Sequence, residues 1–503
     1  MAQVDEKPAL NNSSRGVVDT EKATTVHGLP EESQLDFLDD PDEGLSEEEK
    51  AKIDRALLWK LDLRLIPWLS LLYLISFLDR TNVGNAKLAG LQGDLHMTNS
   101  QYNDSLTIFF VSYAIFEPIT NVLLKRWRPS VFIPIIMVGI CMTCMGLVHN
   151  FSGIMAVRWF LGLAEAGLFP GVGYFLSCWY KRSEFGVRMA IFFSAAALAG
   201  SFGGLLAAAI ALMDGIGGKA GWSWIFILEG LLTIVIGVLS VWMVYDFPDQ
   251  ARFLSEPDRK RVLRRLAADK QASAAYEKFE MTYFWSSLKD WKTYLNAIIY
   301  MGSCMPLYAF SLFTPTIINE LAQLLSVPPY AAAAIVTVAV GFIADRTGQR
   351  GICNIVVSIL GIAGFSLLLG ASSAGARYAG VFLGAMGIYP AISNTISWAS
   401  NNAEGVYKRG VTLGIVIGWG NLNGVVSSNI YRGGDAPQFY PGHGAVLAYL
   451  VLFLFGGSVV QYVLLRRENA KRRRGDRDHW ITGLERQEIE KLGDKRPDFI
   501  YTL

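Results

Sequence analysis

Five cysteines and five histidines in a chain of 503 residues leave little from which to build a disulfide framework or a metal centre. Cys141, Cys144, Cys178, Cys304 and Cys353 all fall inside or at the edges of apolar runs. The Cys141-x-x-Cys144 spacing has no second ligand pair or histidine beside it, so both cysteines read as small packing residues. His96 and His149 fall in turns and are assigned no chemistry. Charge is scarce as well, at 18% of residues, too little for ordinary soluble domains. No nucleophile triad or phosphate loop occurs, which argues against an enzyme, and no cofactor or metal is expected. The start of the chain offers no apolar core of signal-peptide length: it is acidic, carries Ser and Gly, and reads as a disordered cytosolic tail.

What the chain has instead is apolar length. Hydrophobic residues make up 52% of it, and a bilayer core about 30 Å thick needs about twenty of them per helix. Windows of that size recur in two sets of six: residues 61–88, 102–124, 131–148, 153–179, 189–213 and 222–245, then 293–318, 326–344, 352–371, 378–400, 410–431 and 445–465. The spacing predicts an all-α membrane protein with twelve transmembrane helices in two six-helix halves. Its expected domains are a disordered acidic tail (1–60), a first bundle (61–245), a cytosolic linker (246–290), a second bundle (291–466) and a basic cytosolic tail (467–503).

A formal net charge of +1 conceals a partition along the chain. Acids crowd the first fifty residues, whereas every second loop is basic: Lys125, Arg126 and Arg128; Lys181, Arg182 and Arg188; Arg252 through Arg265; Arg346 and Arg350; Lys408 and Arg409; Arg466 through Arg474. Cytoplasmic loops retain Lys and Arg, so both ends of the chain are expected inside the cell. The charge speaks of topology and lipid, and no nucleic-acid partner is implied.

Two sixfold halves joined by a long basic loop suit a midplane site that opens alternately to either side. Charges inside a bilayer are costly and therefore mark function. Arg158 and Glu165 lie two turns apart on one face of the fourth span, and Asp79 and Arg80 sit late in the first. Arginine offers a planar fork that suits a carboxylate, so Arg80 and Arg158 are expected to bind an anionic substrate. Asp79 beside Arg80, and Glu165 beside Arg158, are expected to exchange protons as substrate competes for the guanidinium groups. Glu117 and Glu229 lie nearer helix ends and read as structural. Selectivity is expected from the second half: Tyr389, Asn394, Ser397 and Trp398 on span ten, Trp419, Asn421 and Asn423 on span eleven, and Tyr300 and Tyr308 on span seven. Of these, Tyr300, Asn394, Trp398 and Asn421 are the candidate substrate contacts.

The run GFIADRTGQR, with Asp345, Arg346 and Arg350, resembles the cytosolic loop signature of the major facilitator superfamily. An acid ending a helix and the arginines after it form a charge clasp that holds one gate shut. The matching loop of the first half, NVLLKR, lacks the Gly and Asp of the general pattern. Three more runs, EPITNVLLKR from Glu117, LDRTNVGNA around Asp79 and Arg80, and GWSWIFILEG ending at Gly230, resemble the anion:cation symporter family, and within it the fungal allantoate and nicotinate permease branch. The resemblance extends from about Glu48 onward. It implies proton-coupled uptake of a small carboxylate, of the nicotinate, pantothenate or allantoate kind, by a monomer in the plasma membrane, and it implies substrate and coupling roles for the Asp79–Arg80 and Arg158-x(6)-Glu165 patterns. Relatives carry a longer link between spans seven and eight than residues 318–328 provide. Export of a fungal metabolite and nutrient sensing without net transport are the competing functions.

Overall fold

The computed structural model describes residues 41–126, 128–136, 139–268, 281–318, 325–435, 438–484, 489 and 492–503, and every regular element among them is helical. Among the described residues, ten helices are long and apolar enough to cross a membrane. In chain order the bundle consists of α1 (Glu47–Thr81, continued by Val83–Leu88), α2 (Asn99–Arg126), α3 (Pro129–Ile136 and Ile140–Met145), α4 (Phe151–Glu165, continued by Leu168–Ser177), α5 (Arg182–Ala211), α6 (Gly221–Met243), α7 (Trp291–Ile318), α8 (Val327–Thr347), α9 (Arg350–Gly370), α10 (Ala374–Asn401), α11 (Val406–Ser427) and α12 (Tyr440–Tyr449 through Arg473). The ten spans account for all but α2 and α3, which fill the two remaining places of the expected twelve. The short link between α7 and α8 falls on residues 319–324, outside the described residues.

The first helix starts well before residue 61, so the expected disordered tail does not extend that far. Ser46 caps it: the Ser46 hydroxyl accepts from the Glu49 N–H while the Glu49 carboxylate accepts from the Ser46 N–H, and Glu47, Glu48 and Glu49 sit where the helix dipole favours negative charge. Tertiary contacts add to this cap. The linker helix Glu256–Ala268 buries Val262, Leu263 and Leu266 and pairs its charged face with the early chain, Lys60 with Asp258 at 2.8 Å and Arg261 with Asp42 at 2.8 Å. Its Arg265 also reaches Glu184 at the start of α5, at 2.6 Å.

Small residues decide how closely the helices lie. On α9 and α10, a Cβ at Gly364, Gly380 or Gly387 would strike the backbone of the facing helix, so this pair meets nearly backbone to backbone. The two halves meet along α5 with α8 and along α2 with α11. Gly341 of α8 lies against Ala190 of α5, and Gly424 of α11 lies against the Phe110 ring of α2. These two seams enclose the centre of the bundle from opposite sides.

Beyond α12 the expected basic tail is no loose appendage. Residues 494–503 lie in a groove at the end of the bundle that carries the basic loops. Asp494 is buried between Lys292 of α7 and Lys408 of α11. The Thr502 carbonyl accepts from Trp398 Nε1 at 2.9 Å and from Asn402 Nδ2 at 3.0 Å, and the Leu503 carbonyl accepts from the Gly351 N–H at 3.2 Å. Burial alone would raise the Asp494 carboxyl, but the attraction of Lys292 and Lys408 holds it below the usual carboxylate range.

Candidate functional site

The centre of the bundle holds the charges that the sequence singles out. Away from the basic end, the buried charged residues among those described are Asp79, Arg80, Glu117, Arg158, Glu165 and Glu229. Two arginines thus face four acids, all of them cut off from water.

Arg80 is the hub. Its Nη2 lies 3.2 Å from Glu165 Oε2 on α4, and its Nη1 donates to the Tyr308 hydroxyl of α7 at 3.3 Å. The guanidinium sits among the rings of Phe77, Phe109, Tyr113 and Tyr308, with centroids 5.0–5.9 Å from its central carbon. Such rings supply cation-π attraction without competing for its N–H donors. Tyr308 in turn donates to Asn421 Oδ1 of α11 at 2.6 Å, and Asn421 Nδ2 donates to Glu117 Oε2 of α2 at 2.9 Å. One hydrogen-bonded chain therefore leaves the first half at Arg80, crosses the second half through Tyr308 and Asn421, and returns to the first half at Glu117.

Arg158 is placed differently. It is fully buried, its Nε donates to the Ser105 carbonyl of α2 at 2.8 Å, and its Nη1 and Nη2 have no partner. The Phe109 ring lies 5.2 Å from its guanidinium carbon and equally far from that of Arg80. α4 comes this close to α2 because Gly162 faces Ser112 and the Phe109 carbonyl, where any side chain would collide. The outcome is a buried guanidinium pinned at one nitrogen, with two parallel donors left over. A planar anion suits such a fork.

Both expected pairings are corrected. Glu165 pairs with Arg80, not with Arg158: seven residues along one helix are about 10 Å of axis, too far for contact, whereas α1 crosses at the level of Glu165. Asp79 does not pair with Arg80, because neighbours on a helix point about 100° apart. Asp79 instead accepts from the Thr233 hydroxyl of α6 at 3.0 Å. Beside it Asn82 donates to Glu229 and accepts from Asn85 Nδ2, which makes a second polar cluster between α1 and α6. This cluster borders a narrow cleft lined by Thr81, Asn82, Asn85, Gly203, Ser311 and Tyr330, where the halves meet away from the basic end. The halves are tied at that same end by Ser201, which donates to the Val327 carbonyl at 3.1 Å, and by Asn429, which donates to Thr107 at 2.9 Å.

At the basic end Asp345 pairs with Arg350, and its Oδ2 accepts from the Val187 N–H of α5 at 2.6 Å, so one carboxylate spans both halves. Gly186 makes room for it, since a Cβ there would strike both Asp345 and Arg350. Arg346 points to the exposed side and takes no part in this clasp. Asn394 and Trp398 belong here too and not to the centre: Asn394 Nδ2 lies 2.7 Å from the Arg350 carbonyl and from Asn354 Oδ1, and Trp398 holds residue 502. Each lies on α10 past Pro390, toward the Asp345–Arg350 pair. Trp419 is 46% exposed on the outer face of α11. Tyr300 is buried against Gly420, in the seam between α7 and α11. Of the candidates in the second half, Asn421 and Tyr308 hydrogen-bond into the charged centre. Glu117, set aside as structural on its sequence position, lies in that network. Its signal was the cost of an acid in an apolar helix.

The comparisons with known proteins agree with this architecture. Residues 69–428 match the model of the Major Facilitator Superfamily. An MFS-type transporter of Penicillium expansum is 35% identical over 89% of this chain and 90% of its own length. The high-affinity nicotinic acid transporter of Saccharomyces cerevisiae is 32% identical over 89% of this chain and 85% of its own. Among solved structures, a bacterial homologue of the human lysosomal transporter Spinster, inward-facing and unoccupied, shares the fold with a TM-score of 0.55 at 14% identity, covering 79% of this chain and 93% of that one. With the family model spanning most of the chain and the curated relatives aligned along nearly their whole length, this protein belongs to the major facilitator superfamily and is a multi-pass membrane transporter, not an enzyme.

Proposed function

We propose that the protein couples protons to the uptake of a small organic anion, a monocarboxylate of the nicotinate kind, across the plasma membrane. The observation that carries this reading is the fully buried guanidinium of Arg158, whose Nη1 and Nη2 have no partner. A buried charge without a counter-charge is costly, and a carboxylate would supply both the charge and two acceptors. The nicotinic acid transporter among the relatives supports the substrate class.

In this reading Arg158 receives the carboxylate, and Arg80 with Glu165 forms the pair that responds to it. A monocarboxylate on Arg158 adds a negative charge to a core in which acids already outnumber arginines. A proton drawn to Glu165 restores the balance and releases Arg80 toward the substrate. Asp79 belongs to the same proton-handling layer, with Asn421 and Tyr308 closing the site from the second half. The basic end faces the cytosol, where Asp345 and Arg350 form the gate, and the cleft beside Asn82 faces outward. The carrier works as a monomer.

The test is uptake of a panel of radiolabelled carboxylates, nicotinate foremost, into yeast that expresses the chain, with the pH gradient imposed or collapsed. Accumulation that requires an acidic exterior and disappears in Glu165→Gln is the expected result. Surface-expressed protein that accumulates nothing in either condition overturns it.

A further inference from the structure

Glu117 plays no part in the scheme above, although it is fully buried in the same chain of hydrogen bonds. Its surroundings are unusual for an acid. Oε2 accepts from the neutral Asn421 amide and Oε1 has no partner. The charged and titratable groups turned toward it are Arg80 from α1, Tyr113 from its own helix and Cys304 from α7. Arg80 is committed to Glu165 on α4, and Arg158 of α4 is pinned to Ser105. Glu117 therefore has no cation of its own.

Nor can its one donor turn away. Tyr308 donates to Asn421 Oδ1 and accepts from Arg80, so the Asn421 amide is held with its NH2 toward Glu117. Glu117 is wholly buried where α11 passes it: a Cβ built on Gly418 would stand in ordinary van der Waals contact with Oε2, at 3.8 Å, and Gly424, under two turns on, meets the Phe110 ring. The seam is closed against water where it passes the carboxyl. A buried carboxylate with one neutral hydrogen bond is far less favourable than the neutral acid, whereas separation of α2 from α11 would let water reach it.

We propose that Glu117 is the positioning residue that ties closure of the α2–α11 seam to proton binding: the two halves close over a protonated Glu117 and part when it ionises. This deepens the proton-coupled reading and rests on it for its role in transport, but the closure itself can be measured without any substrate.

The test uses a cysteine pair, Thr107→Cys with Asn429→Cys, at positions whose side chains touch across the same seam. The background is the full chain with its five native cysteines replaced by serine or alanine, purified in detergent; disulfide formation by an added two-electron oxidant is followed between about pH 5 and 8, and each yield is divided by that of a cysteine pair placed within one half at the same pH, which cancels the thiolate's own pH dependence. The expected result is a yield that rises as the pH falls in the parent, stays high and flat in Glu117→Gln, and remains pH-dependent in Glu117→Asp and Glu165→Gln. Asn421→Leu removes the one donor and should move the midpoint upward by about one pH unit, a tenfold change in the closing equilibrium. It serves equally if Glu117→Gln does not fold. A parent yield independent of pH, a pH dependence that survives Glu117→Gln, or an unmoved midpoint in Asn421→Leu overturns the proposal. A carrier that transports none of the carboxylates tested would sink the function proposed above and leave this result standing.

Discussion

Arg158→Lys separates a fork from a charge. In the native site Nε is bound to the Ser105 carbonyl at 2.8 Å, which fixes the plane of the guanidinium and leaves Nη1 and Nη2 side by side. A lysine keeps the positive charge but has one nitrogen to divide between Ser105 and the substrate. One of the two charge-assisted bonds to a carboxylate is lost, at about 1.5–3 kcal/mol. At about 1.4 kcal/mol per tenfold, half-saturation should rise from about tenfold to somewhat over a hundredfold. Arg158→Gln, which can still donate to Ser105 but carries no charge, should show no saturable uptake while folding as well as the lysine variant. The assay is the concentration dependence of initial uptake, normalised to surface protein. A lysine variant with native half-saturation would refute the two-donor geometry, and a glutamine variant that transports normally would refute any role for the charge.

Three further outcomes follow from the packing. Gly387→Ala forces a methyl group against the backbone of Gly361 and should cost about 1–3 kcal/mol, read as a lower unfolding temperature in detergent, whereas Gly370→Ala meets nothing within 4 Å and should be neutral or stabilising by up to about 1 kcal/mol. Asp494→Asn strands Lys292 and Lys408 with Asp290 as their remaining acid; a loss of about 3–5 kcal/mol is expected, seen as faster proteolysis after residue 484. Because the folded-state Asp494 carboxyl lies below its ordinary value, its contribution is complete above about pH 4 and fades only as the pH falls through that lowered value, so the docked segment should resist protease equally at pH 6 and 8. Trp398→Phe removes one hydrogen bond to Thr502 and should cost about 0.5–1.5 kcal/mol without changing half-saturation. A change in half-saturation would return Trp398 to the substrate site.

The sequence revealed the spans, because lipid demands about twenty apolar residues each time and the pattern repeats. It also singled out charges that the structure buries at the centre of the bundle, since Arg80, Arg158, Glu165 and Asp79 had no inexpensive reason to stand where they do. It did not reveal who pairs with whom. Partners adjacent in sequence or on one helix face looked natural, yet Arg80 reaches Glu165 across two helices and Asp79 turns to α6. Those choices depend on helix rotation and crossing depth, which a periodicity does not encode. Depth misled at α10 as well: Asn394 and Trp398 carry groups that suit a binding site, but they bond to Arg350 and Thr502 at the basic end. Glu117 was underrated for the opposite reason, because its meaning comes from Asn421, 304 residues away.

The ion cluster at the basic end bears on how the protein is made. Lys292 and Lys408 are drawn together at the ends of α7 and α11, and the acid that balances them most closely is residue 494. During synthesis the second bundle must be threaded into the membrane before Asp494 leaves the ribosome, so for that interval the two lysines share Asp290 alone. Residues 494–503 then act as a lock on the arrangement: α7, α9, α10, α11 and α12 each supply a contact to them, and a bundle with any of these helices out of place offers no complete groove. A chain whose second bundle is inserted wrongly is left without that groove, and residues 494–503 stay open to protease.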